Sequence, residues 1–110
     1  MDGATEVQTE IYSTFGVDPD LGELVEMFVD EMPDRIATLE QAFASGDLES
    51  VRRAAHQMKG AAGSYGFDQL TPYSASLEES VRDGEPEEKI EKLLGDLIGM
   101  CKKVRAGEPS

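Results

Sequence analysis

In four successive stretches of this 110-residue chain, apolar residues recur at the three- and four-residue spacing of a helix face, and no stretch alternates as a strand does. Such a chain is confined to all-α packing. The first stretch follows Asp18-Pro19-Asp20 and carries Leu21, Leu24, Val25, Phe28, Val29, Met32, Ile36, Leu39 and Phe43. Ser45-Gly46 ends it, and Pro33 is expected to kink or break it. The second opens on Asp47 as N-cap, with Glu49 and Ser50 in its first turn, and stops at Tyr65-Gly66. The third carries Leu70, Tyr73, Leu77 and Val81 and closes at Asp83-Gly84. Its start is open between Thr71-Pro72, with proline at the first helical position, and Phe67-Asp68. The fourth opens at Pro86 and places Ile90, Leu93, Leu94, Leu97, Ile98, Cys101 and Val104 on one face. Short connections make consecutive helices antiparallel neighbours, so the expected architecture is an up-down-up-down four-helix bundle over residues 19–106. Residues 1–18 are left as an arm or a short helix built on Ile11, Tyr12 and Phe15, and 107–110 as a frayed, disordered tail.

A chain of this length buries roughly 60 to 70% of its unfolded surface, enough for one domain without metals or disulfides. The one cysteine, Cys101, has no internal partner, and no basic-then-apolar leader is readable; both lead to the expectation of a cytoplasmic protein. No apolar run approaches the length of a membrane span. A formal net charge of −13 argues against nucleic acid or an anionic membrane as partner, since either needs a cationic footprint. The acid is unevenly spread. From Ser50 to Phe67 there is no Asp or Glu, while Arg52, Arg53 and Lys59 all fall there, a pattern that suits a protein partner with an acidic pocket.

His56, the only histidine, lies in this acid-free run. At about 100° per residue, Val51, Ala54, Ala55, Met58, Ala61, Ala62 and Tyr65 fall between roughly 140° and 260° from it and form the buried stripe. Arg52, Lys59, Gly60 and Gly63 fall within about 60° of the ring, with Arg53 at the margin of that arc. The imidazole is therefore expected to face solvent, among cations and residues without side chains. Each helical glycine costs about 1 kcal/mol relative to alanine, so Gly60 and Gly63 require a reason. Close packing of a neighbouring helix and fraying towards Gly66 are two; clearance for a docking partner is the third, and their place beside an exposed histidine favours it.

Few chemistries remain. A metal site is not expected, because one histidine and one cysteine on the apolar face of another helix do not make a ligand set. The same face makes Cys101 a small buried hydrophobe rather than a nucleophile. Gly60, Gly63 and Gly66 do not form a phosphate-binding loop, since Lys59 precedes the glycine and no strand leads into the turn. An exposed imidazole can, however, attack phosphorus and later leave it, and transfer is catalysed chiefly by positioning and by charges that a partner is able to supply. Lys59, one turn from His56, is placed to contact the phosphoryl oxygens.

The run Ala55-His56-x-Met58-Lys59-Gly60, with Gly66 ten positions beyond the histidine and Leu77-Glu78 on the following helix, resembles the signature of histidine-containing phosphotransfer (HPt) domains. The resemblance extends from Phe28 to the last amphipathic helix. It implies a phosphorelay intermediate: His56 accepts a phosphoryl group from a receiver-domain aspartate or a histidine kinase and passes it to a receiver. It also implies Lys59 as the cation on the oxygens, Gly60 as the residue giving clearance, and Glu78 as the group on the other ring nitrogen. Met58 stands where leucine is more frequent, a volume-conserving change. No kinase ATP site or receiver-type acidic pocket is readable, so the expectation is a monomeric carrier without cofactor, not an enzyme with its own kinase site. The alternative is a bundle of this kind used as a non-phosphorylated adaptor.

Overall fold

The computed structural model describes residues 10–107. Four helices dominate: α1 (Gly22–Ala44), α2 (Leu48–Ser64), α3 (Thr71–Arg82) and α4 (Glu87–Cys101). They form the expected antiparallel four-helix bundle. Its core is assembled from one stripe of each helix, with Val25, Phe28, Met32 and Leu39 from α1 and Val51, Ala55, Met58 and Ala62 from α2. Leu77 of α3 and Ile90, Leu94, Leu97 and Cys101 of α4 complete it. Phe28 is the hub of the α1–α2 contact, its ring centroid 5.2 Å from Tyr65 and 5.4 Å from Phe67.

The ends of α2 are set by local chemistry. Asp47 caps its start, accepting from the Ser50 amide at 3.1 Å. At the other end Gly66 has φ of +81°, and the Phe67 amide returns to the Ala62 carbonyl at 2.8 Å. A Cβ at Gly66 would also stand 2.5 Å from Ser13 Oγ, so glycine is required twice over.

The structure departs from several of the sequence expectations and resolves one that was open. Pro33 does not break α1, which runs on through it, because the burial of Ile36 and Leu39 beyond it outweighs one lost helical hydrogen bond. Leu24 is not on the buried stripe but 40% exposed. Tyr73 is likewise exposed, and the face of α3 turned inward carries Ser74, Leu77 and Glu78 instead. Asp68–Leu70 is a 3-10 turn, which resolves the open start of α3 at Thr71 with Pro72 in its first turn. Finally, α4 stops at Cys101, before Val104, and no short helix forms on Ile11 and Tyr12. Those residues make a strand, β1 (Ile11–Tyr12), pairing in parallel with β2 (Val104–Arg105). A segment so short cannot nucleate a helix in isolation, whereas pairing buries Ile11 and Val104 together and satisfies the Ile11 amide on Lys103 O at 2.8 Å. Of the expected tail, residues 108–110 lie outside the described residues, as do 1–9 of the arm.

Candidate functional site

The site is built on the outward face of α2 and completed by one side chain from α3. Helical phase puts His56 opposite Met58, and its side chain is 62% exposed while Met58 is 2% exposed. Gly60 and Gly63 lie on the same face. A Cβ at either would meet nothing within 4 Å, which removes close helix packing as their reason. Fraying is removed too, because α2 continues through both to Ser64. What they leave is open surface beside the ring.

Glu78 is the part of the site that packing creates. It is 6% exposed, a carboxylate taken out of water on the inner face of α3. Such burial is tolerated only with partners, and it has two. Oε2 lies 2.8 Å from Nδ1 of His56, and Oε1 lies 2.9 Å from Nζ of Lys59. The Lys59 contact is a charge pairing at an angle short of a well-aligned hydrogen bond. Lys59 first, and then His56, hold the Glu78 carboxyl below the usual carboxylate range against the opposing effect of burial. The carboxylate thus fixes the ring. With Nδ1–H donating to Oε2, the Nε2 lone pair is directed away from α3, into solvent.

Lys59 therefore does not hang free beside the ring; in this state it is bound to Glu78. Arg52 is also engaged. Its Nε and Nη2 donate to the two oxygens of Glu49 at 3.1 and 2.6 Å. Arg53, 60% exposed, reaches the same carboxylate only at 3.8 Å. The acid-free run is thus less cationic than it reads, because Glu49 stands just before it. The spacing of Glu49 and Arg52, three apart on a helix, was the available signal for this pairing. Leu24 and Met27, 40% and 55% exposed, are further surface residues that the sequence reading did not assign to the site. At about 100° per residue they fall on the flank of α1 shared with Arg35 and Thr38, which border Ala54 and Gln57 of α2.

A sizeable concavity lies elsewhere. A groove of about 410 Å3 between α1 and the C-terminal segment is lined by Val29, Ile36, Cys101 and Val104 among others, and by no residue of the His56 site. The Cys101 thiol at its base is pushed up to about 12 by burial and is no nucleophile at neutral pH. Among the described residues no cluster of three or more His, Cys, Asp or Glu side chains has the arrangement to hold a metal ion.

A histidine presented on the second helix of a four-helix bundle, backed by a carboxylate from the third, is the arrangement that the sequence resemblance implied. The family model described as the Hpt domain matches residues 23–107. The chain belongs to the Hpt-domain family. No curated protein and no solved structure matches it significantly. Hpt domains are phosphocarriers of phosphorelays, without kinase activity of their own, that work with receiver domains and kinases. In this Hpt domain the one histidine stands on the outward face of α2, and Glu78, the one buried glutamate among the described residues, lies against it. No helix among the described residues is long and apolar enough to cross a membrane.

Proposed function

We propose that this chain is a histidine phosphotransfer protein of a multistep phosphorelay, taking a phosphoryl group onto Nε2 of His56 and handing it to a receiver domain. The observation that carries the reading is the 2.8 Å contact between Nδ1 of the exposed His56 and buried Glu78. It leaves Nε2 as the accessible nucleophile. In the forward step the Nε2 lone pair bonds to phosphorus as the bond from phosphorus to the donor's oxygen or nitrogen breaks, and the electron pair leaves with the donor. The ring is then cationic, and its Nδ1–H remains on the Glu78 carboxylate, which stabilises that charge. In the return step the receiver's carboxylate attacks phosphorus and the neutral ring departs with the Nε2 electron pair. Lys59, one turn along α2, exchanges Glu78 for a phosphoryl oxygen as charge accumulates there.

Docking is assigned to Gly60 and Gly63, where open surface admits a partner close to the ring, and to Arg52 and Arg53 at its rim. Exposed Leu24 and Met27 on α1 extend that face with apolar area. The donor is a receiver aspartate or a histidine kinase, and the acceptor a receiver. A net charge of −13 opposes self-association, in keeping with a monomer, and the unpaired Cys101 suits the reducing cytoplasm.

Incubation with a panel of phosphorylated receiver domains, followed by detection of acid-labile phosphate, tests the reading directly. Parent protein is labelled and His56→Gln, still folded, is not. Labelling that survives the substitution rejects His56 as the acceptor, and a parent that no donor labels rejects the carrier and leaves the non-phosphorylated adaptor.

A further inference from the structure

Arg52 takes no part in the contacts around Glu78, yet it stands one turn before His56 on the same face of α2. Side chains on a helix lean towards its N-terminus, so the imidazole overhangs the turn that carries Arg52. The guanidinium is nevertheless turned away. Glu49 grips it with both oxygens, at 2.6 and 3.1 Å, and this grip raises the Arg52 pKa, with the charge of Glu78 a lesser contribution. Glu49 is seven residues before His56, within about 20° of it around the helix. Glu49, Arg52, His56 and Lys59 therefore form one column, in which each cation of the column is held by an acid while the ring is bare.

We propose that Arg52 is a second cation for a phosphoryl group on His56, parked on Glu49 while the ring is bare and drawn to the phosphoryl oxygens once it is loaded. The inference rests on the reading of His56 as the phospho-acceptor. A phosphoryl group presents close to two negative charges and three acceptor oxygens against the single charge of Glu49, and the planar fork of arginine matches it. Release from Glu49 costs little. That carboxylate is 58% exposed, water replaces the arginine, and Arg53 remains within 3.8 Å. The pair Glu49–Arg52 is thus a latch that sets how much positive charge the loaded ring receives.

The phosphotransfer equilibrium with one receiver domain tests this, because contacts made only in the docked complex cancel from an equilibrium between free species. Arg52→Gln should shift the phosphoryl group towards the receiver by about threefold, the size of a partly exposed ion pair. Glu49→Gln should shift it the other way, and should do nothing once Arg52 is already Gln. The Arg52→Gln effect should shrink at molar salt, and Arg52→Lys should restore part of it. Helical circular dichroism verifies that each variant is folded. An unchanged equilibrium in Arg52→Gln, or a Glu49→Gln effect that persists without Arg52, overturns the latch while the carrier reading stands. A parent that takes no phosphoryl group on His56 overturns both.

Discussion

Removing the Glu78 carboxylate should slow phosphorylation of His56 about fivefold while leaving the protein folded. The carboxylate accepts a charge-assisted hydrogen bond from Nδ1 at 2.8 Å, a class worth about 1.5–3 kcal/mol when shielded from water. The ring, however, is 62% exposed, and solvent screening reduces that figure to about 1 kcal/mol. Applied to attack by Nε2, about 1 kcal/mol corresponds to about a fivefold loss of rate in Glu78→Ala. Lys59 loses its partner in the same variant, and its freed ammonium, 36% exposed, is taken up by water. Stability should therefore fall by only about 1 kcal/mol, since relief from burying a charge offsets much of the lost pairing. Glu78→Gln keeps an acceptor for Nδ1–H and should lose only about twofold in rate. Rapid-quench transfer from a phosphorylated receiver measures the rates. Nitrogen-15 NMR of the single imidazole reads the tautomer without overlap. Parental rates in Glu78→Ala, with Nδ1 still the protonated nitrogen, would refute the assignment of Glu78 as the orienting group.

Gly60→Leu should gain up to about 1 kcal/mol of helix propensity, since a Cβ there meets nothing, yet transfer from a receiver should fall at least tenfold because the new side chain stands beside the ring; unchanged transfer kinetics would remove the clearance argument. Gly66→Ala should destabilise by about 2 kcal/mol or more in urea melts, from its φ of +81° and the 2.5 Å approach of Ser13 Oγ. The Glu78 pKa is lowered in the folded state, so its contribution is fully present above the unfolded carboxylate value of about 4.3 and is lost as pH falls through the lower folded value. The stability gap between parent and Glu78→Gln should accordingly narrow below about pH 4 in urea melts. A gap that widens on acidification would contradict the sign.

The helices were legible because their signals are local. Apolar spacing, the Asp47 cap and the Gly66 stop each act within a few residues, and together they fix both the span of α2 and which side of it is wet. From that phase alone follow the exposure of His56 and the position of Lys59, Gly60 and Gly63 beside it. Periodicity was less reliable where a stripe is wide. Leu24 and Tyr73 sit at its edge and turn out exposed, because the neighbouring helix covers only part of the arc. The two short strands had no local signal. Ile11 and Val104 come together only when the chain ends meet, and their pairing stabilises a conformation that neither segment would hold alone.

By itself, then, the sequence determined four amphipathic helices, a solvent-facing histidine and the small, cationic residues around it, since all of these are properties of one helix at a time. The chemistry of the ring was decided between helices. That Glu78 is buried rather than solvated, that it takes Nδ1 and so exposes Nε2, and that it occupies Lys59 all depend on how closely α3 lies against α2. A residue's spacing gives its direction around its own axis, whereas desolvation and a 2.8 Å contact across 22 residues arise only from tertiary packing.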